Sequence, residues 1–355
     1  MKYLSDYTAG RDNNFNLVRF IAATSVLVSH CFALATGDAA NEPLRKLLGL
    51  SLGDIAVGVF FATSGFLVTG SLLSKQNIKE FFISRALRIY PGLCVAILLS
   101  VLACGLIFSE LPATDFFAQK ATWRYLATNM VMLGRESYTL PGTFISHPVA
   151  GIVNGSLWSL PVEIRMYLML GAAWIALSTF VEKPALWLKM FCVVAATAAL
   201  VVDLEFLRTH TTTYETYQSP AFAELIAAFF SGATLRAFAN RIPVSNSIIF
   251  SILAALVLSA FATGFLWIYK LSLAYVVLYV SLVPRNQLLK FNRLGDYSYG
   301  IYIYAFVVQQ SVLYFYPHIS LLPFVGISIF VTLVLAASSW HLIEKRALSL
   351  RRHFQ

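Results

Sequence analysis

Two side chains on one apolar run open the chemical case. Arg19 and His30 stand 11 residues apart. On a helix that spacing leaves them about 20° apart in azimuth and about 16 Å apart along the axis. Asn16 and Ser29 add to the same polar stripe. Lipid penalises such a stripe, so it should face protein, and ionisable groups at membrane depth usually mark function. Histidine suits proton abstraction near neutral pH; the alternative is a histidine hydrogen-bonded to a neighbouring helix. Arg85 and Arg88 form R-x-x-R before Tyr90-Pro91. As a bare pattern the pair fits positive-inside anchoring. As a functional pair, two guanidiniums on one helix face can clamp phosphates. Glu163 follows Pro161, a residue favoured in a first helical turn, where the dipole welcomes a carboxylate. Tyr167 lies one turn further on. Glu163 and His30 both fall toward the outer half, so they could meet. Tyr297, Tyr299, Tyr302 and Tyr304 crowd one segment; they fit an aromatic belt in part, or the wall of a sugar cavity. Asp54, Glu224 and Glu344 are explained by capping, interface placement or arginine pairing.

These residues need a scaffold, and composition says which. Of 355 residues, 58% are hydrophobic and 12% charged, with mean hydropathy +0.72. Soluble domains carry about 25% charged residues. Lipid is the better solvent, and a spanning helix needs about 20 apolar residues. The expected fold is all-α: a polytopic membrane helix bundle of about ten transmembrane helices. The expected runs are 15–35, 53–73, 89–108, 160–180, 186–203, 220–237, 246–264, 266–283, 297–315 and 320–341. A further half-buried helix is expected near Trp123–Leu133. Ala33-Leu34-Ala35 resembles a signal-peptidase site. The run before it is long for a signal peptide and holds Arg19 and His30, which favours a retained span.

Ten crossings put both ends on one side, and the net charge of +9 suggests which. Lys2, Arg11, Arg19, Lys75, Lys79, Arg85, Arg88, Lys183, Lys189, Arg236, Arg241, Arg285, Lys290, Arg293 and the C-terminal Lys345, Arg346, Arg351 and Arg352 gather on one side. The other keeps Arg45, Lys46, Lys120, Arg124, Arg135, Arg208 and Lys270. That bias predicts N-in, C-in. Scattered cations argue against nucleic acid as a partner. Cys31, Cys94, Cys104 and Cys192 form no CxxC pair, and neither a disulfide framework nor a metal site is expected. The whole chain, 1–355, reads as one membrane domain without an appended soluble one. The long stretch from Ser109 to Leu157 is a candidate functional loop.

Taken together, these segments resemble the acyltransferase-3 family of membrane O-acyltransferases. The resemblance rests on Arg19 and His30; Phe60-Phe61-Ala62-Thr63-Ser64-Gly65-Phe66-Leu67; Arg85-Ala86-Leu87-Arg88-Ile89-Tyr90-Pro91; Ser156-Leu157-Trp158-Ser159-Leu160-Pro161-Val162-Glu163; Tyr297-Ser298-Tyr299-Gly300-Ile301-Tyr302; and Ile343-Glu344-Lys345. It implies transfer of an acyl group, commonly acetyl from acetyl-CoA, to a hydroxyl of a cell-envelope or exported glycan, in a bacterial cytoplasmic membrane. Lipopolysaccharide, exopolysaccharide, lipochitooligosaccharide and peptidoglycan are open as acceptors. It implies His30, Glu163 and Arg19 as catalytic, Arg85 and Arg88 near the acyl-CoA phosphates, and Trp158, Tyr167, Tyr299 and Tyr302 as candidate substrate contacts. His30 would act as general base or carry the acyl group. Two positions depart from the family: Ala305 stands where many members carry a second histidine, and Arg346 where a proline often follows Glu-Lys. Some members add an extracytoplasmic esterase-like domain; without one, this chain acts alone or with a separate transfer protein. A glycan or anion transporter would also explain polar groups in spans, but it predicts paired broken helices, which the sequence does not offer. A sensor or scaffold leaves the Arg19–His30 stripe unexplained.

Overall fold

A computed structural model describes residues 2–8, 10, 12–134, 136–210, 221–262, 264–284 and 287–354. Arg11, Arg135 and Arg285, used above in the charge bias, lie outside the described residues. The fold is all-α apart from one antiparallel pairing of β1 (Lys2–Tyr3) with β2 (Pro243–Val244). The main helices are α1 (Phe15–Thr36), α2 (Leu52–Lys75), α3 (Ile78–Ala103), α4 (Lys120–Val131), α5 (Leu160–Phe180), α6 (Pro184–His210), α7 (Ala221–Ala237), α8 (Asn246–Ala260), α9 (Phe265–Leu282), α10 (Ser298–Phe315) and α11 (Leu321–Ser339).

The expectation of about ten spans is overturned. Among the described residues, seven helices are long and apolar enough to cross a membrane: α1, α2, α3, α5, α6, α9 and α11, some with short continuations. The other three expected spans do form helices. However, α7 has only 17 residues and carries Glu224 and Arg236, and α8 has only 15. The third, α10, is diluted by its tyrosines and by Gln309 and Gln310. With the even count gone, the argument for N-in, C-in has no basis. Lys270 is also misplaced in that argument: it sits inside α9, not in a loop. The expected extra helix near Trp123 is α4.

The chain packs as two compact units. The first comprises Met1–Ala22, Leu44–Phe81 and Met166–Gly295. At its centre α2 packs on α7, α7 on α6, and α9 on both α2 and α7. The α2–α7 approach is very close. A Cβ at Gly65 would fall 1.8 Å from the Phe229 carbonyl oxygen, and one at Gly232 would fall 2.1 Å from that of Ala62. Small residues permit this backbone contact, as in membrane helix pairs generally. Ser51 and Asp54 close a capping box at the start of α2, and Arg45 bonds Asp54 at 2.9 Å. A buried ion cluster joins α6, α7 and α9: the Lys270 ammonium lies 2.7 Å from Asp203 and 3.3 Å from Glu224.

The second unit comprises Ala23–Pro43, Phe82–Arg165 and Asp296–Gln355. Its spine is α10, buried at most of its positions. Gly300 brings α10 against α11, where a Cβ would meet the Ala336 Cα at 2.8 Å. The long loop before α5 is tied to the same helix. The Gln310 amide donates to the carbonyls of Ile152 (2.7 Å) and Val149 (3.1 Å), and Asn154 Nδ2 donates to that of Ile303 at 2.8 Å. The loop thus satisfies its buried backbone groups without regular structure, as it must.

Candidate functional site

In the second unit, one face of α10 organises the candidate residues. Tyr299, Tyr302 and Phe306 follow spacings of three and four, so they share a face, over about 10 Å of helix. Each meets a different part of the chain.

At the start of α10, Tyr299 lies under the Arg88 guanidinium, 5.5 Å from its carbon to the ring centroid. The Tyr299 hydroxyl donates to the Ile89 carbonyl at 2.8 Å. Arg88 Nη2 bonds Asp296 at 2.6 Å, and Nη1 lies 3.6 Å from Glu344 Oε2. Glu344 is buried and also accepts from the Ser339 hydroxyl at 2.9 Å. Gly92 lets the elements close: a Cβ there would sit 3.1 Å from the Tyr299 ring. Arg88 therefore holds three segments together, and two carboxylates already face its single charge. Arg85, half-buried one turn earlier, places Nη2 3.5 Å from Ser84 Oγ. Pro91 lies inside α3, so both arginines belong to the helix body rather than to a preceding loop.

In the middle of the face, Tyr302 and Ser159 share a 2.7 Å hydroxyl–hydroxyl bond. Ser159 ends the tight 3-10 turn Gly155–Ser159 that leads into α5. That turn starts from Asn154, whose side chain accepts from the Ser156 amide. Trp158, half-buried, belongs to it. Glu163 follows in the first turn of α5 and lies within electrostatic range of Arg88, Tyr299 and Tyr302.

Further along, the His30 ring packs edge-on against Phe306, with centroids 5.4 Å apart. Phe306 also fills the space over Gly155, where a Cβ would come within 2.8 Å of its ring. Gln309 donates to the Leu27 carbonyl at 2.7 Å and contacts Cys31 Sγ at 2.9 Å. These bonds fix the turn of α1 that carries His30. Ser29 donates to Glu42 at 2.9 Å.

The structure thus brings His30, Arg88 and Ser159 against one helix face, with Trp158 in the turn that carries Ser159 and Arg85 one turn before Arg88; Glu163 is within electrostatic range of that face. Tyr299 and Tyr302 are buried with committed hydroxyls, so they shape the site more than they line an open cavity. Two expected residues fall elsewhere. Arg19, on the part of α1 in the first unit, lies over the Phe60 ring at 5.7 Å. Tyr167, also in that unit, is buried against Phe229 and bonds Ser64 at 2.8 Å. Sequence reasoning missed Asp296, Gln309 and Gln310. Asp296 stands one residue before the tyrosine cluster, and two adjacent glutamines in an apolar run were the available signal. It also missed the loop clamp in which His147 Nδ1 meets Gln310 at 2.8 Å. In that loop burial, together with Glu136, pushes the Tyr138 phenol pKa above its ordinary range. Among the described residues no group of His, Cys, Asp and Glu is arranged to hold a metal ion.

Comparison with known proteins defines the class. The acyltransferase-3 family profile, an acyltransferase domain, matches residues 12–341, and the chain belongs to this family. It is 29% identical over 351 residues to an O-acetyl transferase of Shigella phage Sf6, covering 96% of this chain and 97% of the relative. It is 29% identical over 382 residues to nodulation protein 10 of Rhizobium leguminosarum bv. viciae, covering 98% and 96%. Acyltransferase MdmB of Streptomyces mycarofaciens is 30% identical over 208 residues, 58% of this chain and 47% of the relative. No solved structure matches the chain. The seven apolar helices and the family together make this a multi-pass membrane acyltransferase.

Proposed function

We propose that the protein moves an acetyl group from acetyl-CoA, taken on the cytoplasmic side of a bacterial inner membrane, to a hydroxyl of a cell-surface or exported glycan. The observation that carries this reading is the full-length similarity to an O-acetyl transferase, supported by a histidine packed on α10. His30 takes the proton of the acceptor hydroxyl as its oxygen attacks the thioester carbonyl. The carbon–sulfur bond breaks, and the departing thiolate takes a proton back from His30. Glu163 biases the site toward the imidazolium formed between these events. Arg19, over the Phe60 ring in the first unit, takes no step in this scheme. Arg85 and Arg88 face the donor phosphates. Arg88 works from within its carboxylate cluster, so it orients the donor's surroundings, while Arg85 supplies the stronger phosphate contact. Trp158, Tyr299 and Tyr302 shape the acceptor path. The acceptor is a glycan or glycolipid, and the scheme needs no separate extracytoplasmic transfer protein.

The test uses purified full-length protein in detergent with acetyl-CoA and a candidate glycan. Acceptor-dependent release of free CoA thiol is expected from wild type and not from His30→Ala, with both eluting as monodisperse protein. Equal thiol release by the two would remove His30 from the mechanism.

A further inference from the structure

A cavity of about 560 Å³ lies within the first unit, lined by Thr8, Phe66, Ser71, Ser74, Lys75 and Arg236 among others. Its volume is in the range of small-molecule sites, about 300–1,000 Å³. The lining combines hydroxyls and an aromatic wall with one uncompensated positive charge. Lys75 is paired with Glu80. Among the described residues no carboxylate pairs with Arg236, whose guanidinium lies over the Phe66 ring at 5.7 Å. Gly70 makes room for it: a Cβ there would fall 2.5 Å from Arg236 Nε. Arg236 ends α7, where a cation suits the helix dipole. That accounts for the charge, but not for the cavity or for the glycine opposite it.

We propose that this cavity binds an organic phosphate, with Arg236 as its principal anion contact and the hydroxyls of Thr8, Ser71 and Ser74 as further hydrogen-bonding groups. A guanidinium with hydroxyls around it matches phosphate oxygens geometrically. The aromatic wall suits a phosphate attached to a base or an acyl chain, not a free inorganic ion. Two sources share this chemistry: the phosphorylated nucleotide end of a soluble cofactor, and an anionic phospholipid headgroup. The proposal is independent of acyl transfer, because binding needs no acceptor and no turnover.

The experiment compares wild type with Arg236→Gln in two arms. Isothermal titration with 3′,5′-ADP tests the nucleotide source. Native mass spectrometry of protein from phosphatidylglycerol nanodiscs tests the lipid source. A loss of at least tenfold in 3′,5′-ADP affinity supports the proposal with a nucleotide ligand. Unchanged nucleotide binding with loss of retained phosphatidylglycerol supports it with a lipid. No change in either arm, or no binding of either probe by wild type, overturns it. Should Arg236→Gln fail to fold, Gly70→Ala decides. It keeps the charge but displaces the guanidinium, and the same losses are expected. If 3′,5′-ADP binding is lost in Arg85→Ala and kept in the Arg236 variant, the nucleotide belongs to the arginine pair instead. The cavity then stands or falls on the lipid arm alone.

Discussion

Arg85 and Arg88 look equivalent in sequence and are not equivalent in the fold. Arg88 answers Asp296 and the buried Glu344 at once, so removing it leaves carboxylates unpaired in a low-dielectric setting. Breaking a buried pair from one side costs about 3–5 kcal/mol. Arg88→Ala should therefore lower the thermal midpoint in detergent markedly, and adding Glu344→Gln should restore part of it. Arg85→Ala should barely move the midpoint and should weaken acetyl-CoA binding by about tenfold or more, the loss of one charge-assisted contact. A matched loss of stability in both variants would contradict this division. The same logic applies to Lys270, whose side chain is 2% exposed beside an Asp203 side chain that is 1% exposed. Lys270→Met should destabilise by about 3–5 kcal/mol, and a Lys270→Met, Asp203→Asn double variant by less, as read by melting. The residue types at the site were legible in the sequence because Arg, His and Glu are conspicuous in apolar runs. Their partners were not, since Asp296 and Glu344 are more than 200 residues from Arg88 and only the fold joins them.

Helix lengths and contacts explain where hydropathy misled. An apolar segment can be buried by lipid or by protein, and composition alone does not separate the two. In α10 nearly every position is buried within the protein, so its apolar residues report packing as much as bilayer contact. α7 likewise spends its apolar face on α2 and α6. Helix existence was readable from the runs, and so was the helix near Trp123. The span count was not, because it assigned every run to lipid. The glycines give a direct test of the packing. Gly65→Val and Gly232→Val should each prevent the backbone approach of α2 and α7, with folded yield falling sharply by fluorescence-detected size exclusion. Gly326→Ala, where an added Cβ meets nothing within 4 Å, should leave that yield unchanged. Normal yield from the two valine variants would show that the close approach is dispensable.

For the whole molecule, α10 is the element on which most of the candidate chemistry of the second unit converges. α10 holds Arg88, Ser159 and His30 through Tyr299, Tyr302 and Phe306, and it ties down the long loop through Gln310. Binding and transfer should therefore be separable by mutation. The most direct test is mass analysis of surface glycans from the organism that encodes this chain, after its deletion and its return as wild type or His30→Ala. One acetyl group, about 42 Da per ester by the general chemistry of acetylation, should be lost on deletion. Wild type should restore it and His30→Ala should not, with equal membrane levels of both proteins. Restoration by His30→Ala, or glycans unchanged by deletion, would contradict the proposed transfer.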